Sequence, residues 1–269
     1  MKKNLKKDGN SSAEEADLLD KEACKKQLAP IYEESAREAL LDGMPEDALA
    51  HYDTALRADP EFLPALIGRA SLYLDFDNWE EAQKDADQAL RIAPSSPDAL
   101  LLAGNIARSR DHFEKAVRFF DQALENDPQY FQAFYARAIV HDLMDRSDLA
   151  LEDFNRCIEI APDFVPAWYD RGVFYANEEN WEAAIRDYTK TIELDPEFIQ
   201  AWITRGDAKT VLGHFEDALL DLNHAIDLDP EDGMGYYYRA LIWDEMGDKE
   251  KARCDYNVAC EKGFDPEQE

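Results

Sequence analysis

The sequence predicts an all-α chain made of seven tandem helix–turn–helix repeats, and three observations predict it. Pro60, Pro94, Pro128, Pro162, Pro196 and Pro230 recur 34 residues apart. Small-residue columns keep the same period. One is Ala48, Ala82, Ala116, Ala150, Ala184, Ala218 and Ala252, and another is Ala36, Ala70, Gly104, Ala138, Gly172, Gly206 and Ala240. Within each copy the apolar residues fall at helical spacing.

The repeats are 29–62, 63–96, 97–130, 131–164, 165–198, 199–232 and 233–266. In the fifth, Trp168, Arg171, Gly172 and Tyr175 stand at i, i+3, i+4 and i+7, one face of a first helix. Ala184, Tyr188, Thr191 and Ile192 mark the second helix. Between the helices a short turn carries Gly43, Asp77, Asp111, Asp145, Gly213 or Gly247. The Asp-Pro or Ala-Pro step then stops the second helix, and Pro64, Pro97 and Pro166 fit a first helical turn. Small residues stand where the two helices must approach closely. The last repeat turns polar where a following one would dock: Leu219, Ile226 and Leu228 become Arg253, Cys260 and Lys262. Residues 1–28 form a polar tail outside the period, in which Ser12 and Glu15 could cap a short helix.

The pattern aromatic, small, aromatic, Ala, aromatic, Pro reads most fully as Trp168, Gly172, Tyr175, Ala184, Tyr188 and Pro196. It resembles the signature of the tetratricopeptide repeat family, over about nine tenths of the chain. His141 in repeat 4 and Phe264 in the proline column of repeat 7 depart from it. The resemblance implies a right-handed superhelical solenoid of helix–turn–helix repeats with a concave groove, used as an interaction scaffold.

The seventh position, usually Leu in that family, is Arg in five repeats: Arg69, Arg137, Arg171, Arg205 and Arg239. The same five carry Asp sixteen residues on: Asp85, Asp153, Asp187, Asp221 and Asp255. Repeats 1 and 3 lack both. Residues that come and go together point to contact. An Arg near a core needs its donors satisfied, which a carboxylate does with two bonds. We therefore expect structural ion pairs inside each repeat, against the alternative that these Arg bind an acidic ligand.

The resemblance places the first helices along the groove. It exposes a stripe there of Ile67, Leu101, Tyr135, Ile139, Tyr169, Val173, Ile203, Asp207, Tyr237 and Leu241. The alternative is that the fifth-position residues pack against the neighbouring repeat. The chain carries 29 basic and 59 acidic residues, a net charge of −30. That disfavours nucleic acid and anionic membranes, and it favours a protein or peptide with apolar anchors and basic flanks. One subset of the family grips tails ending Glu-Glu-Val-Asp. The gripping positions here hold Glu33, Arg37, Gly68, Asp98 and Leu102, so such tails are not expected to bind.

No catalytic residues, metal ligands or cofactors are expected. The five His form no close pair, and neither a phosphate loop nor a nucleophile elbow occurs. Asp75, Asp77 and Glu80 lack the rest of a calcium loop. Cys24, Cys157, Cys254 and Cys260 follow no metal or disulfide rhythm, and no apolar leader or membrane span is visible. The expectation is a cytoplasmic, non-catalytic adaptor or co-chaperone-like scaffold. The alternatives are a dedicated secretion or assembly chaperone for one client, or an accessory subunit of an enzyme or signalling complex.

Overall fold

A computed structural model describes residues 25–264. Fourteen helices run in chain order from Ala29 to Glu261, and the described residues contain no strand. They are α1 (Ala29–Leu41), α2 (Pro45–Ala58), α3 (Leu63–Asp75), α4 (Trp79–Ile92), α5 (Pro97–Ser109), α6 (Phe113–Asn126) and α7 (Phe131–Leu143). After them come α8 (Ser147–Ile160), α9 (Val165–Asn177), α10 (Trp181–Leu194), α11 (Ile199–Val211), α12 (Phe215–Leu228), α13 (Gly233–Glu245) and α14 (Lys249–Glu261). The cap expected at Ser12 and Glu15 lies outside the described residues.

The turns explain the punctuation. At each tight turn inside a repeat one residue is left-handed: Gly43, Asp77, Asp111, Asp145, Glu179, Gly213 and Gly247. Gly and Asp tolerate that conformation, which is why they recur there. Glu179 is the exception and sits at φ 57°. At the turns between repeats Asp59, Asp127, Asp195 and Asp229 each accept a hydrogen bond from the backbone N–H two residues on. The Asp before each of these prolines is therefore a turn-closing acceptor.

The described residues divide into two compact units, with the division between Val140 and His141. In the first, Tyr52, Ala55, Leu66 and Ala99 belong to one core cluster, and Leu100, Ala123, Leu124 and Ala133 to another. In the second, Ala184, Tyr188 and Ala208 form one cluster, and Ile203, Ala218, Leu222, Ala225 and Ile242 another. The small-residue column has a packing reason. A Cβ on Gly172 would lie 2.6 Å from the Tyr188 ring, and one on Gly104 would lie 2.2 Å from the Phe120 ring. Only a residue without a side chain lets these buried rings reach the first helix.

Candidate functional site

The seventh-position arginines sit in a repeated setting. Arg69 donates from Nε and Nη2 to the two carboxylate oxygens of Asp85, at 2.8 and 2.7 Å. Arg171 does the same with Asp187, Arg205 with Asp221 and Arg239 with Asp255, at 2.7–2.9 Å. All four Asp are buried. The remaining candidate pair draws Arg137 from the first unit and Asp153 from the second. Within its own unit Arg137 is paired with Asp121, and Asp153 lies 3.8 Å from the His141 Nε2.

Each of these arginines also reaches backward by sixteen residues. The Nη1 of Arg69 donates to Asp53, that of Arg171 to Asn155, that of Arg205 to the Thr189 hydroxyl and that of Arg239 to Asn223. One guanidinium thus ties the second helix of its own repeat to that of the preceding repeat. Aromatic faces cover it: Arg171 lies 4.9 Å from the Trp168 ring centre and Arg205 4.9 Å from Trp202. The sequence reading missed this backward acceptor. Its signal was an acceptor column with changing chemistry: Asp53, Asp87, Asp121, Asn155, Thr189, Asn223. Where Ala103 replaces the arginine, Asp87 accepts from the Gln83 amide on its own helix.

The stripe expected along the first helices is mixed in character. In the first unit Ile67, Leu101, Tyr135 and Ile139 are partly exposed. In the second, so are Tyr169, Val173, Asp207, Tyr237 and Leu241. Ile203 is a correction. It is 2% exposed and belongs to the core with Leu222 and Ile242, so it offers no anchor to a ligand. Tyr169 and Tyr237 are held by rings of their own unit. Tyr169 lies 4.9 Å from Phe198 and 5.8 Å from Tyr188, and Tyr237 lies 4.7 Å from Phe264. Asp207 carries no hydrogen bond or ion pair among the described residues, and burial raises its pKa from the ordinary aspartate value.

Ile67 and Leu101 come together in a cleft of the first unit with a volume of about 600 Å³. Glu33 and Arg37 from α1 form one wall. Leu63, Ile67, Ser71 and Leu74 from α3 form the floor, and Leu101, Asn105 and Arg108 from α5 form the other wall. Tyr130, from the turn after α6, lies across the end, and its hydroxyl donates to Asp98. Arg37 pairs with Glu33 at 3.0 Å. The hydroxyl of the buried Tyr52 also borders the cleft, and burial together with Glu33 raises its pKa. Its ring lies where a Gly68 side chain would be, with 2.4 Å to a Cβ placed there.

Among the described residues no group of three or more His, Cys, Asp or Glu could hold a metal ion. No described helix is long and apolar enough to cross a membrane.

A family model for the tetratricopeptide repeat matches residues 67–131, 101–163 and 203–266, and two further models of that description match 165–198 and 39–84. No curated protein matches the sequence. Among solved structures, the chain is similar to YrrB, described as a TPR protein with an unusual peptide-binding site. The identity is 25% and the TM-score 0.51, over 68% of this chain and 95% of that one. It is also similar to a tetratricopeptide repeat protein from Parabacteroides merdae, at 19% identity and a TM-score of 0.61 over 90% and 96% of the two chains. PilW, described as a type IV pilus biogenesis factor, shares 21% identity at a TM-score of 0.65, over 85% and 98%.

Proposed function

Because the chain belongs to the tetratricopeptide repeat family, we propose that it is a non-catalytic interaction scaffold whose first unit binds a protein segment in the cleft between α1, α3 and α5. The cleft is the observation that carries this reading. Its floor is apolar and partly exposed at Ile67 and Leu101, while Ser71, Asn105 and Tyr130 supply polar groups along an extended path. That combination suits a segment with apolar anchors and a backbone in need of partners. The likeness to a peptide-binding neighbour supports the same class of ligand. Basic flanks on the segment belong to the proposal: a net charge of −30 speeds their encounter. Free, scattered thiols support a cytoplasmic setting.

A displayed library of random 16-residue peptides, selected on the full chain, tests the function. Ser71 is exposed at the cleft, so Ser71→Trp fills it without opening the core. Selected peptides are expected to lose binding to Ser71→Trp while its helical circular-dichroism signal stays unchanged. Failure to select any peptide, or equal binding to the variant, rejects the cleft as the site.

A further inference from the structure

This inference rests on the proposed function and names the chemistry that the same cleft recognises. We propose that the cleft holds an acidic group of the bound segment, next to an apolar anchor, on the Arg108 guanidinium and the Asn105 side-chain amide. The observation is an unused cation. The chain has two acids for every base, and the other arginines of the first unit's first helices are engaged: Arg37 by Glu33, Arg69 by Asp53 and Asp85, Arg137 by Asp121. Arg108 is half-buried in the cleft wall and carries no ion pair or side-chain hydrogen bond among the described residues. The Asn105 side chain is likewise without a partner among them, and its backbone carbonyl accepts from Ser109.

The order along α5 defines the ligand. Leu101, Asn105 and Arg108 stand at i, i+4 and i+7, one stripe of the helix, so an apolar contact is followed by an amide and then by a guanidinium. A segment lying along this stripe meets its best complement with an apolar side chain and then a carboxylate. The carboxylate accepts charge-assisted bonds in a partly dry site. Asp75 borders the cleft from α3 and Asp98 stands at the start of the α5 stripe, so an anion meets least repulsion at the Arg108 end of α5. Arg108 is the twelfth residue of its repeat. It lies outside the positions that grip Glu-Glu-Val-Asp tails, which here hold Glu33, Arg37, Gly68, Asp98 and Leu102.

The carboxylate can be an Asp or Glu side chain or the end of a chain, and the experiment separates them. Two libraries are selected on the full chain, one with free carboxyl ends and one with the random segment held internally. Enrichment of Asp or Glu beside an apolar residue is expected in the internal library if a side chain is read; if a chain terminus is read, binders come only from the free-end library, with an apolar residue enriched near the carboxyl end. For the selected peptides, Arg108→Gln should weaken binding at least tenfold, and raising salt should weaken it for wild type more than for the variant. Arg110→Gln, on the exposed turn, should change affinity less than twofold. Peptides that bind the cleft and are lost with Ser71→Trp, yet show neither acidic enrichment nor dependence on a free carboxyl end, or ignore Arg108→Gln, overturn this inference and leave the proposed function standing. Enrichment of Lys or Arg at that place also overturns it. Selection of no peptide at all removes both.

Discussion

Replacing Asp187 with Leu strips Arg171 of two charge-assisted hydrogen bonds, at 2.7 and 2.8 Å, in a setting where the side chains are 13% and 6% exposed. Bonds of that kind contribute about 1.5–3 kcal/mol each, so the gross loss is about 3–6 kcal/mol. Two contacts survive. The Nη1 still donates to Asn155, and the guanidinium still stacks on Trp168. They are present before and after the change and so offset none of the lost bonds, but they keep the guanidinium from being left bare, which places the loss at the low end of that range. The expected net loss is about 3 kcal/mol, the lower end for breaking a buried pair. For a chain of this size that lowers Tm by about 6–12 °C. The assay is urea unfolding of Asp187→Leu, Arg171→Met and the double variant. The double variant should recover most of the loss, because no buried charge is left unpaired, and the coupling should exceed about 2 kcal/mol. A coupling below about 0.5 kcal/mol, the range of exposed surface pairs, would refute the reasoning. Asn155→Ala, on the exposed side of the same guanidinium, should cost about 1 kcal/mol or less.

Gly172→Ala should destabilise by about 1–3 kcal/mol in spite of its better helix propensity, because the new Cβ lies 2.6 Å from the Tyr188 ring. Gly206→Ala should be close to neutral, since its nearest neighbour is the Leu222 Cγ at 3.1 Å; thermal melts that rank the two equally would discount the ring contact. Asp207→Asn should raise Tm at pH 7. Burial raises the folded pKa of Asp207, so the protonated form is favoured, stability is fullest below the unfolded carboxylate range, and it is lost as pH rises through the folded value. The gain should shrink toward pH 3, and a gain independent of pH would contradict this account. Burial pushes the Cys157 thiol up to about 12, whereas Cys254 and Cys260 are exposed. A thiol reagent at pH 8 should therefore label Cys254 and Cys260 in the native chain and reach Cys157 only on unfolding, as mass spectrometry of the digest would show.

Tyr169 shows where groove and core share a residue. It is partly exposed on the stripe read from the sequence, yet it packs on Tyr188 and Phe198. A Tyr169→Ala change therefore removes ring contacts as well as surface, and a loss of binding in that variant says little by itself. The exposed Ser71 and the half-buried Arg108, whose guanidinium has no partner among the described residues, test the cleft without removing such ring contacts.

What the sequence alone determined is whatever repeats. A 34-residue period in Pro, Ala and small residues dictates helix pairs, because each copy solves the same local problem of turn, helix stop and close approach. The forward Arg–Asp columns were legible because both members keep one chemical identity and vanish together in repeats 1 and 3. The backward acceptor was not, since Asp, Asn and Thr can all accept the same bond and no single letter marks the column. Tertiary structure alone decided the burial of the fifth-position residues. Ile203 is sealed by Leu222 and Ile242, while Ile67 and Leu101 stay open to a cleft. Their place in the repeat is the same. Burial depends on which side chains arrive from other helices and turns, and those differ from copy to copy even where the backbone period does not.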